Sequence, residues 1–113
     1  MAEGVKTLEP PDSLHLQAAE GWLDLGNPKE AVEEFGKITE SSRLNPDVLK
    51  FQVRFFIVVK NWETCLEVAT ALTALEPLPL RIYIYRSYAL HNLKRTQEAY
   101  DLLYPAVLRC VFQ

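Results

Sequence analysis

The side chains with chemistry to offer are few and scattered. His15 and His91 are the two histidines, Cys65 and Cys110 the two cysteines, and Glu33-Glu34 and Glu63/Glu67 are carboxylate pairs on predicted helices. A histidine beside a cysteine or carboxylate could serve nucleophilic or acid–base catalysis, and a His/Cys cluster could hold zinc. Neither arrangement forms at these spacings. The histidines stand 76 positions apart, the cysteines lack CxxC spacing, and there is no GxGxxG or GKT phosphate loop and no GxSxG elbow. We expect no enzyme, no metal and no cofactor. The cysteines are expected to be free thiols, His15 to occupy a core-type position, and Glu33-Glu34 to face water.

What positions these residues is a repeat. The segments LGNPKEAVEEF, VKNWETCLEVA and LKRTQEAYDLL share one shape, and their small residues Ala31, Cys65 and Ala99 recur at a spacing of 34. Within each period, apolar residues at i, i+3, i+4 and i+7 mark two amphipathic helices separated by a breaker. The pattern predicts six helices, over 13–25, 28–42, 46–59, 62–75, 79–92 and 96–109, and no strands. Asn27, Asn45 and Asn61 suit helix caps, Pro28 and Pro46 suit first helical positions, and Glu30 stands where it completes a capping box. Pro105 removes a donor inside the last helix, so a kink or stop is expected near 101–105.

The 113 residues, 49% of them apolar, suffice for one small core. Residues 1–11 read as a flexible lead-in and 12–113 as one domain. A formal charge of −3 gives no basic field for nucleic acid. No apolar run approaches the ~20 residues of a membrane span, and the N-terminus has no apolar signal core. A soluble, cytoplasmic chain follows.

A helix-turn-helix unit of 34 residues resembles the tetratricopeptide repeat. The resemblance covers three repeats, 12–45, 46–79 and 80–113, and SYALHNLKRTQEAYDLL is similar to bacterial members of unassigned function. It implies an all-α, right-handed superhelical array of three hairpins. In such hairpins the helices cross at small residues, here Ala19/Ala31, Val53/Cys65 and Ser87/Ala99. Larger core positions fall on Trp22, Phe56 and Leu90, on Phe35, Ala69 and Leu103, and on Ile38, Leu72 and Ala106. The helix-ending proline of the family is present as Pro77 and replaced by Arg43 and Val111.

The family binds peptides on the concave face lined by each first helix. Carried over, those positions are Ser13, Leu16, Gln17, Glu20 and Asp24 in the first repeat. The later repeats contribute an aromatic and cationic strip, Lys50, Phe51, Arg54, Arg81, Tyr85 and Tyr88. The chaperone-tail clamp of the family, built from Lys, Asn and Arg, is replaced by Leu16, Glu20, Phe51, Arg81 and Tyr85, and only Arg81 fits it. The resemblance therefore implies a non-enzymatic scaffold or adaptor that grips a peptide or partner helix. The alternative is a dimeric, chaperone-like holder of a secretion or assembly client. Leu108, Val111 and Phe112 leave an apolar end without a polar capping helix, so self-association as a dimer is expected there.

Overall fold

The computed structural model describes residues 7–74 and 80–111. It is helical throughout, with α1 (Asp12–Asp24), α2 (Pro28–Phe35), α3 (Pro46–Val58), α4 (Trp62–Thr73), α5 (Leu80–Asn92) and α6 (Thr96–Val111), plus a 3₁₀ turn at Glu40–Ser42. Among the described residues there is no strand. Helices α1 and α2, α3 and α4, and α5 and α6 pack as hairpins, while α1 on α3 and α4 on α5 join them. The molecule measures 40 × 36 × 20 Å, and its thinnest dimension is two helix diameters at about 10 Å each.

The turn inside each hairpin is the same object three times. Gly26, Lys60 and Lys94 have φ of 78°, 61° and 66°, again spaced by 34. At each, the following amide reaches back over the helix end: Asn27 N–H to Trp22 O at 2.9 Å, Asn61 to Phe56 at 2.9 Å, and Arg95 to Leu90 at 2.8 Å. The left-handed residue itself donates to Leu23, Ile57 and His91 respectively. This is a Schellman ending. Asn27 and Asn61 then cap the next helix, their Oδ1 atoms accepting from the amides of Glu30 at 3.2 Å and Thr64 at 3.3 Å. Asn45 caps α3 likewise through the amide of Asp47 at 2.9 Å. The expected reciprocal arm of the capping box does not form, because the Asn27 amide is already spent on Trp22. The Glu30 carboxyl beside Glu33 holds the Glu33 carboxyl above its ordinary value.

The second helix departs most from expectation. Predicted to reach residue 42, α2 stops at Phe35. The Thr39 amide, which would have continued the helix by donating to Phe35, donates to Asp12 Oδ1 at 2.9 Å instead. Asp12 also accepts from the hydroxyls of Thr39 at 3.1 Å and Ser42 at 2.7 Å. Carbonyls freed by the break are taken by Arg43, whose Nη2 donates to Ile38 O at 2.9 Å and Gly36 O at 3.3 Å. Its guanidinium lies 4.9 Å over the Phe35 ring. Gly36, Ile38 and Thr39 are weak helix formers, so little is lost by leaving the helix there.

Three apolar clusters run along the stack. The first joins Leu16, Ala19 and Leu23 of α1 to Ala31, Ile38, Val48 and Phe51; the second joins Val53, Cys65, Ala69 and Ala89; the third joins Leu49, Leu72 and Ile82. All the close-crossing residues, Ala19/Ala31, Val53/Cys65 and Ser87/Ala99, are buried. In two hairpins a side chain spans the crossing directly: Cys65 Sγ donates to Val53 O at 3.8 Å and Ser87 Oγ to Ala99 O at 3.2 Å.

Two further expectations are corrected. Trp22 is 38% exposed rather than core, because it lies on the outer side of the first hairpin with no described helix beyond it. Helix α6 runs through Pro105 to Val111 without stopping. Pro105 is on the exposed face, where water can take the carbonyl that the ring leaves without a donor.

A left-handed turn residue other than glycine costs about 1 kcal/mol of backbone strain. No atom lies within 4 Å of a Cβ built on Gly26, so Gly26→Ala should lose about 1 kcal/mol from φ alone. Lys60→Gly and Lys94→Gly should each gain about 0.5 kcal/mol after the entropy of glycine is counted. Urea unfolding of the three variants checks the sign at each turn. The hydrogen bonds to Asp12 hold its carboxyl below the ordinary value, so its contribution is full at neutral pH and is lost as pH falls through the lowered value. Thermal stability should be level above about pH 5 and fall below about pH 4, and Asp12→Asn should flatten that acid limb.

Candidate interaction surface

The candidate strip does not survive as one surface. Phe51 is 2% exposed and belongs to the core, its ring stacked between Phe35 at 5.4 Å and Phe55 at 6.2 Å. Its assignment to a groove is therefore corrected. The reason is the broken α2: Phe35, at the last residue of that helix, turns onto α3 and takes Phe51 with it. Tyr85 is half-buried between the second and third clusters. Lys50 is half-buried at the rim of a cleft with Ser13, Leu16, Gln17, Glu20 and Asp47.

Arg54 is engaged. Its Nη2 lies 2.6 Å from Asp24 Oδ1, joining α3 to α1. Both groups are substantially exposed, so the pair contributes at most about 1 kcal/mol. Glu20 stands near the same guanidinium, yet its carboxyl is pushed above the ordinary value because partial burial outweighs that attraction.

Arg81 and Tyr88 remain at the surface, and they are not alone there. Arg81, Ile84, Tyr88 and His91 fall at i, i+3, i+7 and i+10 of α5, one exposed stripe. Tyr88 is 49% exposed and meets the edge of the Trp62 indole at 5.2 Å and 87°. Val58, at the last turn of α3, is exposed as well. Trp62 was absent from the sequence-based strip because it opens a second helix. The packing of α4 on α5 is what carries it to Tyr88, and no spacing within one helix signals that.

The expected self-association face is described only in part. Leu108 is exposed, and the side chains of Val111 and Phe112 lie outside the described residues. Tyr100 and Tyr104 precede Leu108 at i−8 and i−4, both exposed and stacked 5.4 Å apart with nearly parallel rings. They were not in the sequence-based face, although the spacing of 4 between them and Leu108 was legible.

The chemistry-bearing residues find local partners. His15 Nδ1 is 2.7 Å from Glu34 Oε2, and Lys37 Nζ is 3.1 Å from Glu34 Oε1. Glu34 thus faces the α1–α2 seam rather than open water, and these bonds lower its carboxyl below the ordinary value. The hairpin register explains the pair: His15 is four residues outward from Ala19, and Glu34 three outward from Ala31. Among the described residues no three His, Cys, Asp or Glu side chains are placed to hold a metal ion. Cys65 is fully buried, and burial pushes its thiol up to about 11, which suppresses the thiolate. Among the described residues no helix is long and apolar enough to cross a membrane. Comparison with family models, with curated proteins and with solved structures gives no match for this chain.

Removing a core aromatic and removing a surface one should have opposite signatures. Phe51→Ala should cost about 3 to 5 kcal/mol, while Tyr88→Ala should cost under about 1 kcal/mol. Equal losses in denaturant titrations of the two variants would contradict the division of the strip. In a Cys110→Ser background, Cys65 should react with a thiol reagent only at the rate of unfolding, and fast labelling under native conditions would contradict its burial.

Proposed function

We propose that this chain is a non-enzymatic protein-interaction module of tetratricopeptide type, with its three hairpins set as a right-handed superhelix. The threefold left-handed turn supports the repeat reading, since the backbone recurs at the same spacing as the sequence. The observation that carries the binding reading is the exposed stripe of Arg81, Ile84 and Tyr88 backed by Trp62. Aromatic and arginine side chains are enriched where protein partners bind tightly. Tyr88 held on edge by an indole has little side-chain freedom left to lose on binding. Arg81 adds a planar donor for a carboxylate. The partner is a peptide or helix presenting an apolar anchor to Tyr88 and Ile84 and an acidic group to Arg81.

A second reading concerns a second copy. The row of Tyr100, Tyr104 and Leu108 is an exposed apolar face on the last helix. Self-association through it gives a dimer, the state a chaperone-like holder of a client would use.

A panel of peptides pairing Leu or Phe with Asp or Glu, read by Trp62 fluorescence in a Trp22→Phe background, tests the first reading. Tyr88→Ala and Arg81→Ala should each weaken the best peptide by about tenfold or more. Unchanged affinity in both variants would remove the α5 stripe as the site. Sedimentation of the wild type against Tyr104→Lys addresses the second reading: association lost in the variant supports it, and a monomer at all concentrations sinks it.

A further inference from the structure

The first and third hairpins each leave one helix face uncovered, and the fold itself shows what fits between such faces. The start of α1 is closed on its inner side. Leu8 packs on the first core cluster, and residues 9–11, expected to be part of a structureless lead-in, turn into the helix with Glu9 O accepting from the Ser13 amide at 3.0 Å. The outer side of α1 is open. Leu14, Gly21, Trp22 and Leu25 are exposed and Ala18 is half-buried, an apolar stripe at i, i+7, i+8 and i+11 with i+4 between them. A Cβ built on Gly21 meets nothing within 4 Å. On α6, Tyr100 is exposed and Leu103 and Val107 are half-buried, a second stripe at i, i+3 and i+7. The packing of α4 on α5 relates the two stripes. Leu66, Ala69 and Thr73 stand 34 positions before the α6 stripe, and Ile82, Arg86, Ala89, Leu90 and Leu93 stand 68 after the α1 stripe. Leu66, Ala69 and Ala89 belong to one apolar cluster, and Arg86 Nη1 donates to Thr73 Oγ1 at 3.5 Å. Ile82, Ala89 and Leu90 are buried where their counterparts Leu14, Gly21 and Trp22 are exposed.

We propose that α6 of one copy takes α1 of a second copy in the way that α4 takes α5, so that the chain associates head to tail. The inference rests on the self-association reading and assigns α6 its partner face, the outer side of the neighbour's first hairpin rather than a second α6. Side-chain sizes compensate across this joint. The pair Ala69 and Ala89 within the chain becomes Leu103 and Gly21 between copies, so the larger residue on α6 meets the residue without a side chain on α1. Thr73 and Arg86 become Val107 and Ala18, and a polar contact is exchanged for an apolar one. Charge has the same polarity. Residues 12–35 carry one Lys against six Asp/Glu, whereas residues 80–111 carry five Lys/Arg against two Asp/Glu. Head-to-tail stacking sets the acidic hairpin on the basic one, and a two-fold pairing of α6 with α6 sets two basic hairpins together. The interface is heterologous. Its smallest assembly is an asymmetric dimer in which each copy keeps one stripe free, and further copies add at either end.

Two complementary variants of the full chain test the arrangement. Gly21→Arg places a long side chain in the open space on the α1 stripe, and replacing glycine inside a helix favours the fold. Tyr100→Asp places a carboxylate at an exposed site on the α6 stripe. In sedimentation each variant alone should need about tenfold or more of the wild-type concentration to associate. An equimolar mixture of the two should form a heterodimer at the wild-type concentration and grow no further, because one copy supplies α6 and the other α1. The wild type should grow beyond the dimer as concentration rises. In a Trp62→Phe background the emission of Trp22 should shift to the blue with concentration, and Tyr100→Asp, a change on the third hairpin, should abolish that shift. A wild type that stops at the dimer, Gly21→Arg that associates as the wild type does, or a mixture without heterodimer overturns the proposal. If Tyr100→Asp is monomeric in such a case, self-association through α6 survives while the head-to-tail joint does not. A wild type that is monomeric at all concentrations overturns both. Should Tyr100→Asp lose its helical circular dichroism, Tyr100→Gln replaces it, and loss of the fold in both overturns the proposal, since Tyr100 is then a structural residue.

Discussion

Everything in this fold depends on how closely two helices of a hairpin approach. At a crossing where both residues are small, backbones come near enough for a side chain on one helix to reach a carbonyl on the other, as Ser87 does to Ala99. Close approach brings the larger residues on either side into register and closes the apolar clusters. It also constrains the turn, because a short crossing distance leaves room for only three linking residues. Those three must reverse the chain, and a left-handed residue followed by an amide reaching back to the helix end does so. The price is strain at Lys60 and Lys94, offset by the packing that the turn permits.

The first hairpin shows what happens when the same plan is met by a polar residue at its edge. Helix α2 ends about two turns early, with the Lys37 and Ile38 amides turned back to Glu34 and Phe35, and Asp12 at the start of α1 takes the Thr39 amide just beyond the break. Arg43 then covers the freed carbonyls and the Phe35 ring. The consequence is felt on the next hairpin, where Phe35 draws Phe51 into the core. Phe51 is thereby held among Phe35, Phe55 and the first apolar cluster rather than presented at the surface. Helix propensity and tertiary hydrogen bonding point the same way here, which is why the break is local and the remaining hairpins keep long second helices.

What could be read in the sequence follows from this hierarchy. Period, helix number, cap residues and crossing positions are set by local pattern and by one repeated contact, so Ala31, Cys65, Ala99 and the three asparagine caps were legible directly. The length of α2 was not, because the chain beyond its end is held by the Asp12 carboxylate, 27 residues away from the amide it takes. His15 with Glu34 was half legible: the crossing at Ala19/Ala31 sets their register, but inspection of spacing along one helix overlooks it. For the binding strip, a family position states which side of a helix faces the groove, not what the neighbouring element does to it. Arg81 and Tyr88 stayed exposed because α5 has few neighbours on that side; Phe51 did not because α2 ended in an aromatic ring. Leu8 was illegible for the opposite reason, since two prolines and scattered polar residues carry no periodicity to announce one anchored side chain.

The division of the surface has a further consequence for how such a chain could discriminate among partners. The charges along the α1–α3 crevice, Glu20 and Asp24 of α1 and Asp47 of α3, are acidic, and the cations near them are already committed, Arg54 to Asp24 and Lys50 to a half-buried rim. The α5 stripe carries Arg81 and no acidic neighbour at i±3 or i±4 on its own helix. The two regions therefore differ in electrostatic character as well as in shape. An extended partner lying across both would meet an acidic, partly filled crevice at one end and an aromatic-cationic stripe at the other. Polarity of that kind fixes direction more than affinity, because a reversed segment places like charges together at both ends.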